Sequence, residues 1–219
     1  MTDHATARLN MVENQLRPNR VVEQRLLDAI GEVPRELFVP EAMRGVAYAD
    51  ENIPLGGGRF LVEPLALGKL LQSAAITPGD AALVVGDVTG YAAAVVARLA
   101  AKTCLLLPPE AAPQVPAVER HLGELGCGDV VVRAGDPAEG LPDRAPFDVV
   151  LLIGAVERVP QALLGQLADR GRLVTVVEER RQGRVTVCLK VADAVGRTTP
   201  FDAALPPLPG LRPAAGFVF

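Results

Sequence analysis

Apolar residues recur at helical spacing through the first third of the chain and in short unbroken runs beyond it. Arg8–Leu16 and Val21–Ile30 read as helices, the second placing Val22, Leu26, Leu27 and Ile30 on one side before Gly31 stops it, and a short helix follows Pro34. Between Tyr48 and Leu61 the periodicity fails and Gly56, Gly57 and Gly58 are consecutive. That predicts a loop whose backbone can approach a ligand or another strand closely. Pro64 suits the first turn of a helix through about Ala75, with Leu67, Leu70, Leu71 and Ala74 available for burial.

Past the turn at Thr77–Asp80 the pattern changes. Ala81–Val85, Thr103–Leu107, Val130–Arg133, Phe147–Ile153, Leu173–Val177 and Val185–Val191 read as strands. Helices are predicted over Tyr91–Leu99, after Pro113 with Val115, Val118, Leu122 and Leu125 on one face, and over Pro160–Ala168. Runs such as Val149–Ile153, apolar at every position, imply a sheet covered on both faces. The expected architecture is α/β, a mostly parallel doubly wound sheet, with a hairpin around Glu179–Gly183 adding an antiparallel edge.

Beyond Asp193 the residues Pro200, Pro206, Pro207, Pro209 and Pro213 argue against regular structure. Phe201, Leu205, Leu208, Leu211, Phe217 and Phe219 punctuate the same stretch and predict a tail pinned to the body, either across the cleft or behind the sheet. Three segments follow: 1–75, N-terminal helices and glycine-rich loop; 76–193, the α/β domain; 194–219, the proline-rich tail.

Composition narrows the function classes. The chain has 219 residues, 49% of them hydrophobic and 22% charged, which excludes disorder for the bulk of it. Its 22 basic and 26 acidic residues give a net charge of -4, leaving no surplus for a phosphate backbone, so no nucleic acid partner is expected beyond what a small local basic patch could hold. Met1–Leu9 is polar and charged, and no run approaches the roughly 18–20 apolar residues that span a bilayer. A cytoplasmic protein with no membrane partner is expected; oligomeric state is not legible. Cys104, Cys127 and Cys188 are widely spaced and read as buried thiols. With only His4 and His121, no metal site is expected, and Ser73, the sole serine, lacks a Gly-x-Ser-x-Gly context.

Gly86-Asp87-Val88-Thr89-Gly90 follows the first strand of the sheet and opens a helix, the place where an open sheet binds an adenosine-bearing ligand by its backbone. A glycine turn there also serves geometry alone. The ribose of such a ligand wants a carboxylate at the end of the next strand, but that strand ends Leu105-Leu106-Leu107, and Glu110 comes three residues late.

Several ordered motifs carry a family resemblance: Met11-Val12-Glu13-Asn14-Gln15-Leu16, Val33 through Pro40, Ala47-Tyr48-Ala49-Asp50, Gly86 through Tyr91, Gly135-Asp136, Ala145-Pro146-Phe147-Asp148, and Val159-Pro160 through Gly171-Arg172-Leu173-Val174. Over about residues 8–191 the chain resembles the protein-L-isoaspartate O-methyltransferases. The resemblance implies a Rossmann-like S-adenosylmethionine-dependent methyltransferase fold with an N-terminal helical addition. It also implies methyl transfer from S-adenosylmethionine to an isoaspartyl carboxylate of a protein or peptide substrate. Carried onto this chain, it points to Gly86, Asp87, Gly90, Tyr91, Leu107, Gly135 and Asp136 for the cofactor, and to Arg59, Val62 and Glu63 for catalysis.

The chain departs from the family pattern at these places. Where the family reads Gly-Gln-Thr-Ile-Ser-Gln-Pro, this chain reads Gly58 to Pro64, so Val62 stands at a hydroxyl position. Where it reads Leu-Glu-Ile-Gly-Thr-Gly-Ser-Gly-Tyr, this chain has Val84 for the acid and Val88 for the central glycine. The acid ending the second strand aligns near Leu107, and Gly-Asp-Gly has become Gly135-Asp136-Pro137. Val84, Val88 and Leu107 are therefore expected to face and narrow the adenosine pocket. Asp87 either meets the methionine ammonium or caps the following helix; Arg59 pairs either with a substrate carboxylate or with Glu63; Asp136 contacts the adenine side or satisfies loop amides. Two function classes stay open: a methyltransferase of this type, and a catalytically silent relative kept as a binding or scaffold protein.

Overall fold

The computed structural model describes residues 3–179 and 182–211. Helix α1 (His4–Asn10) is capped by Asp3, whose side chain accepts from the Ala5 and Thr6 amides. The predicted helix over Arg8–Leu16 instead widens at Met11 into a π-helical turn over Met11–Leu16, which buries Met11, Val12 and Leu16. Helix α2 (Gln24–Glu32) starts later than its periodicity suggests and runs through Gly31. It stops before Pro34, whose ring pushes Val33 to an extended conformation (φ -80°, ψ 115°). Val22, expected on its buried face, precedes the helix and is 68% exposed.

The glycine-rich stretch is not a loop. Ile53–Gly56 (β1) and Arg59–Leu61 (β2) form an antiparallel hairpin, and Gly57 and Gly58 take φ of +60° and +72° in its two-residue turn. Positive φ at both central residues is what such a turn demands, so the glycines answer a turn requirement. Helix α3 (Pro64–Ala74) follows, with Leu67, Leu70, Leu71 and Ala74 buried.

The remaining strands are β3 (Ala81–Val85), β4 (Lys102–Leu107), β5 (Val131–Ala134), β6 (Phe147–Val156), β7 (Leu167–Glu179), β8 (Gln182–Val191) and β9 (Ala194–Asp202). They form one sheet in the order β5-β4-β3-β6-β7-β8-β9. The pairs from β5 to β7 are parallel; β7–β8 and β8–β9 are antiparallel. Helices α4 (Tyr91–Val96), α5 (Val115–Glu124) and α6 (Gln161–Gly165) are the crossovers. Helix α6 ends short of Ala168 because Leu167 already pairs with Phe147. Alternate residues supply two cores: Val84, Leu105, Leu107 and Leu151 join the N-terminal helices, whereas Leu83, Val85, Leu106 and Leu152 pack with Leu163 of α6.

Strand β9 corrects the expectation that prolines exclude regular structure beyond Asp193. Pro200 sits where Val185 pairs with Phe201 and Val187 with Thr198, so the edge strand carries an extra residue there. A bulge on an edge strand tolerates a residue without an N–H. From Asp202 the chain returns across the carboxyl ends of the strands, where Pro207 forms a parallel bridge with Ala155. Leu205 and Leu208 are buried on the way. Pro213, Phe217 and Phe219 lie outside the described residues.

Candidate cofactor crevice

Connections run outward in opposite directions from β3 and β6, and open α/β sheets bind ligands outside the carboxyl ends of the strands at such a switch point. Here that point is flanked by the loop after β3. Gly86 (φ +85°) ends the strand while its amide still donates to the Leu106 carbonyl at 3.3 Å, and Gly90 (φ +87°) turns the chain into α4.

Asp87 is a helix cap. One carboxylate oxygen accepts from the Thr89 amide (3.2 Å), the Thr89 hydroxyl (2.8 Å) and the Gly90 amide (3.1 Å), and the other from the Ala93 amide (3.0 Å). The side chain is only 5% exposed. Burial pushes its carboxyl above the usual aspartate range, against the pull of those four donors. Both oxygens are engaged by the start of the helix it caps.

Val84 and Leu107, expected to face the adenosine pocket, are not among the residues that line the small cavity at the switch point. Both are fully buried in the core beneath the N-terminal helices, and the Leu107 carbonyl accepts from the Gly135 amide at 3.0 Å. Of the three, Val88 alone lines the crevice. Asp136 is exposed, and its carboxylate accepts from the Ala138 amide at 2.8 Å within its own turn, while Pro137 is buried.

Tyr91 is buried and packs edge-to-face with Phe38, with ring centroids 5.3 Å apart, and the Arg35 guanidinium carbon lies 4.9 Å from the Tyr91 ring centroid. Arg35, which the reading of the chain did not single out as a site residue, is itself fully buried. It donates to the Ala47 carbonyl at 2.6 Å and to the Val62 carbonyl, so it positions the backbone at the family's hydroxyl site. Its only signal was its place in the Val33–Pro40 motif.

Arg59 donates to the Gly56 carbonyl at 3.2 Å, and among the described residues no ion pair joins it to Glu63. Glu63 is half-buried ahead of α3; burial, and then the nearby Asp50 carboxylate, push its carboxyl upward. Its amide donates to the Asn52 side chain at 3.0 Å.

What the fold brings together is a cavity of about 20 Å³, lined by Arg59, Val62, Gly86, Val88 and Ile153. The rest of its wall includes Pro206, Pro207 and Pro209 from the returning C-terminal segment. Of the expected site residues, Glu63, Asp87, Gly90, Tyr91, Leu107, Gly135 and Asp136 are not part of that wall. The space suits about one water, against the several hundred Å³ of a typical small-molecule pocket.

The family model of protein-L-isoaspartate(D-aspartate) O-methyltransferase matches residues 7–201. The chain belongs to that family. It is 37% identical over 205 residues to the protein-L-isoaspartate O-methyltransferase of Gloeobacter violaceus, covering 93% of this chain and 98% of that one. Against the enzyme of that name from Methylorubrum extorquens it is 42% identical over 185 residues, covering 80% and 75% of the two chains. Among solved structures, a protein-L-isoaspartate O-methyltransferase superposes with a TM-score of 0.79 at 20% identity, over 93% of this chain and 67% of that one. A Plasmodium falciparum structure described as a beta-aspartate methyltransferase of this family, in complex with S-adenosyl-L-homocysteine, also scores 0.79, at 15% identity over 96% and 100% of the two chains. The Rossmann-like methyltransferase fold, its mixed sheet and its N-terminal helices are thus those of the family.

Proposed function

We propose that this member of the isoaspartyl methyltransferase family has lost the cofactor site and acts as a binding protein for a protein or peptide partner, in the cytoplasm. The observation that carries the reading is that the space between Gly86, Val88, Ile153 and the chain's own Pro206, Pro207 and Pro209 is about 20 Å³, room for about one water. S-adenosylmethionine carries a sulfonium, an ammonium and two ribose hydroxyls, and each needs an acceptor where water is removed. The residues present do not fit it. Asp87 is committed to α4, Leu107 offers no carboxylate, and Val88 and Pro137 add bulk beside the loops that would have to approach it. Charge-assisted bonds are worth about 1.5–3 kcal/mol each, so every one lost weakens binding by about tenfold to more than a hundredfold. No helix among the described residues is long and apolar enough to cross a membrane.

The competing reading is methyl transfer to an isoaspartyl carboxylate, and what favours it is the 37–42% identity to relatives bearing that activity in their names. Such a displacement needs alignment and exclusion of water more than a strong base, so the scarcity of histidine does not count against it. It requires the C-terminal segment to leave the crevice and new acceptors to replace the lost ones, with Arg59 free to pair with the substrate carboxylate.

Calorimetry of the full chain with S-adenosylmethionine and S-adenosylhomocysteine separates the two. We expect no heat at millimolar ligand; a dissociation constant tighter than about 10 micromolar, some 7 kcal/mol of binding free energy, overturns the proposal.

A further inference from the structure

We propose that Cys127 is a modification site: its thiol exchanges with low-molecular-weight disulfides of the amino-acid type, in a cavity at the amino ends of β4 and β5. This is the opposite end of the sheet from the switch point. The chain leaves α5 through Gly126 (φ +75°), and the next amide, that of Cys127, donates back to the Leu122 carbonyl at 2.8 Å. The turn buries the thiol against the end of α4, where Arg98 meets it. The Arg98 guanidinium donates to Cys127 Sγ at 3.0 Å and is itself held by the Ala94 carbonyl (2.9 Å), the Leu125 carbonyl (3.1 Å) and the Glu32 carboxylate (3.3 Å). The thiol proton has only the Ala94 and Leu125 carbonyls within reach, both 3.8 Å from the sulfur. A sulfur that closely receives a fixed cation and gives up its own proton to no near acceptor is arranged as a thiolate, the form that attacks disulfides. Cys104 and Cys188 have no such partner among the described residues, and burial pushes both thiols up.

The cavity has the room and the groups for such a reactant. Its volume is about 290 Å³, with Arg98, Thr103, Cys127 and Val130 along the wall and the exposed Lys102 and Asp129 at the rim. Thr103 is 4% exposed, and its hydroxyl has no partner among the described residues. It shares its face of β4 with Leu105 and Leu107, which pack in the same core as Cys127, so the hydroxyl is turned to the thiol's side of the sheet. An unpaired buried hydroxyl is costly, and a ligand carbonyl or sulfur gives it the acceptor that the fold does not. Neither Lys102 nor Asp129 forms an ion pair among the described residues, which leaves them to meet the carboxylate and the ammonium of an amino-acid-type disulfide. In the exchange, Cys127 Sγ attacks one sulfur of RS–SR as a thiolate. The Cys127–SR bond forms as the S–S bond breaks, and the departing RS⁻ takes up the proton that Cys127 gave up, so no other oxidant or reductant is consumed.

Intact-mass spectrometry of the full native chain in millimolar glutathione disulfide reads the reaction. One glutathione should add, peptide mapping should place it on Cys127, and dithiothreitol should remove it, whereas Cys104 and Cys188 should react only in denaturant. Cys127→Ser should take up none. Arg98→Met should slow the addition by about tenfold or more, both with glutathione disulfide and with cystamine, a disulfide that bears ammonium groups and no carboxylate. Lys102→Glu should slow glutathione disulfide by about fivefold or more and leave cystamine unslowed, because only the former brings a carboxylate to the rim. If Arg98→Met fails to fold, the Lys102→Glu comparison and the mapping on wild type carry the test. An unmodified native chain, an adduct formed first on Cys104 or Cys188, a folded Arg98→Met variant as fast as wild type, or a Lys102→Glu variant that treats the two disulfides alike would each overturn the inference. None of these readouts depends on cofactor binding.

Discussion

The two ends of the parallel strands have fared differently. At the amino end, Arg172 ties four elements: it pairs with Asp80 at 2.7 Å and donates to the carbonyls of Ala74, Ala75 and Asp148. Asp80 also accepts from the Thr77 amide and hydroxyl, both at 2.8 Å, and the Asp148 carboxylate accepts from the Ala81 amide at 2.8 Å. These residues belong to, or are tied by, the Phe147-Asp148 and Gly171-Arg172 motifs that carry the family resemblance. At the carboxyl end Val62, Val84 and Leu107 stand at polar positions of the family pattern, and the buried carboxylate of Asp87 caps a helix. Motifs that hold the sheet together are kept, whereas the motifs at the carboxyl end keep Gly86, Gly90, Tyr91, Gly135 and Asp136 but carry Val84, Val88, Leu107 and Pro137 at other positions. On the proposed reading, the changes at the carboxyl end remove the ligand while the kept motifs hold the fold.

The largest expected effect lies at the intact end. Arg172→Ala strands the Asp80 carboxylate in a nearly buried site and should cost about 3–5 kcal/mol in urea unfolding; a loss below about 1 kcal/mol would mean the clamp is only decoration. Burial alone would raise the Asp80 carboxyl, but the Thr77 amide, Arg172 and the Thr77 hydroxyl together hold it below the usual aspartate range. Its contribution is present above the unfolded-state value near 3.8 and is lost as pH falls through the lower folded value. The stability gap between wild type and Asp80→Asn should accordingly be constant near neutrality and close in acid.

At the other end, Leu107→Glu restores the acid of the family pattern. Because that position is fully buried, it should cost about 3 kcal/mol and, on the proposed reading, confer no cofactor binding. A cheap substitution that gains S-adenosylhomocysteine affinity would show that the position reaches the crevice after all. Asp87→Ala should cost about 2 kcal/mol by unpairing the first turn of α4. The folded carboxyl of Asp87 is raised, so its ionisation works against folding, and the stability contribution of the protonated form is lost as pH rises through that folded value. Asp87→Asn should therefore narrow its deficit relative to wild type as pH rises from acid toward neutrality. Arg59→Ala, which gives up one hydrogen bond at a half-exposed turn, should change stability by no more than about 0.5 kcal/mol.

Strands β3 and β6 were legible because unbroken apolar runs can be satisfied only inside a covered sheet. The β1–β2 hairpin was not, since three glycines erase the alternation that marks strands while the turn they build is set by φ alone. Strand β9 was hidden for a related reason: it is almost wholly exposed and carries Pro200, and only its pairing with β8 reveals the bulge that admits it. The replacements at Val84, Val88 and Leu107 could be read from the chain, but which of them face the crevice depends on strand register. The seat of Leu208 depends on contacts with Gly86 and Gly154, more than 50 residues earlier, and no local pattern encodes such a meeting.

Thermal unfolding at 1 millimolar S-adenosylhomocysteine tests most directly whether the carboxyl end has given up its ligand. A site with a dissociation constant near 10 micromolar would add about 2.7 kcal/mol and raise the midpoint of a chain this long by roughly 5–10 °C. The crevice described above predicts a midpoint unchanged to within about half a degree, and a rise of several degrees would contradict it.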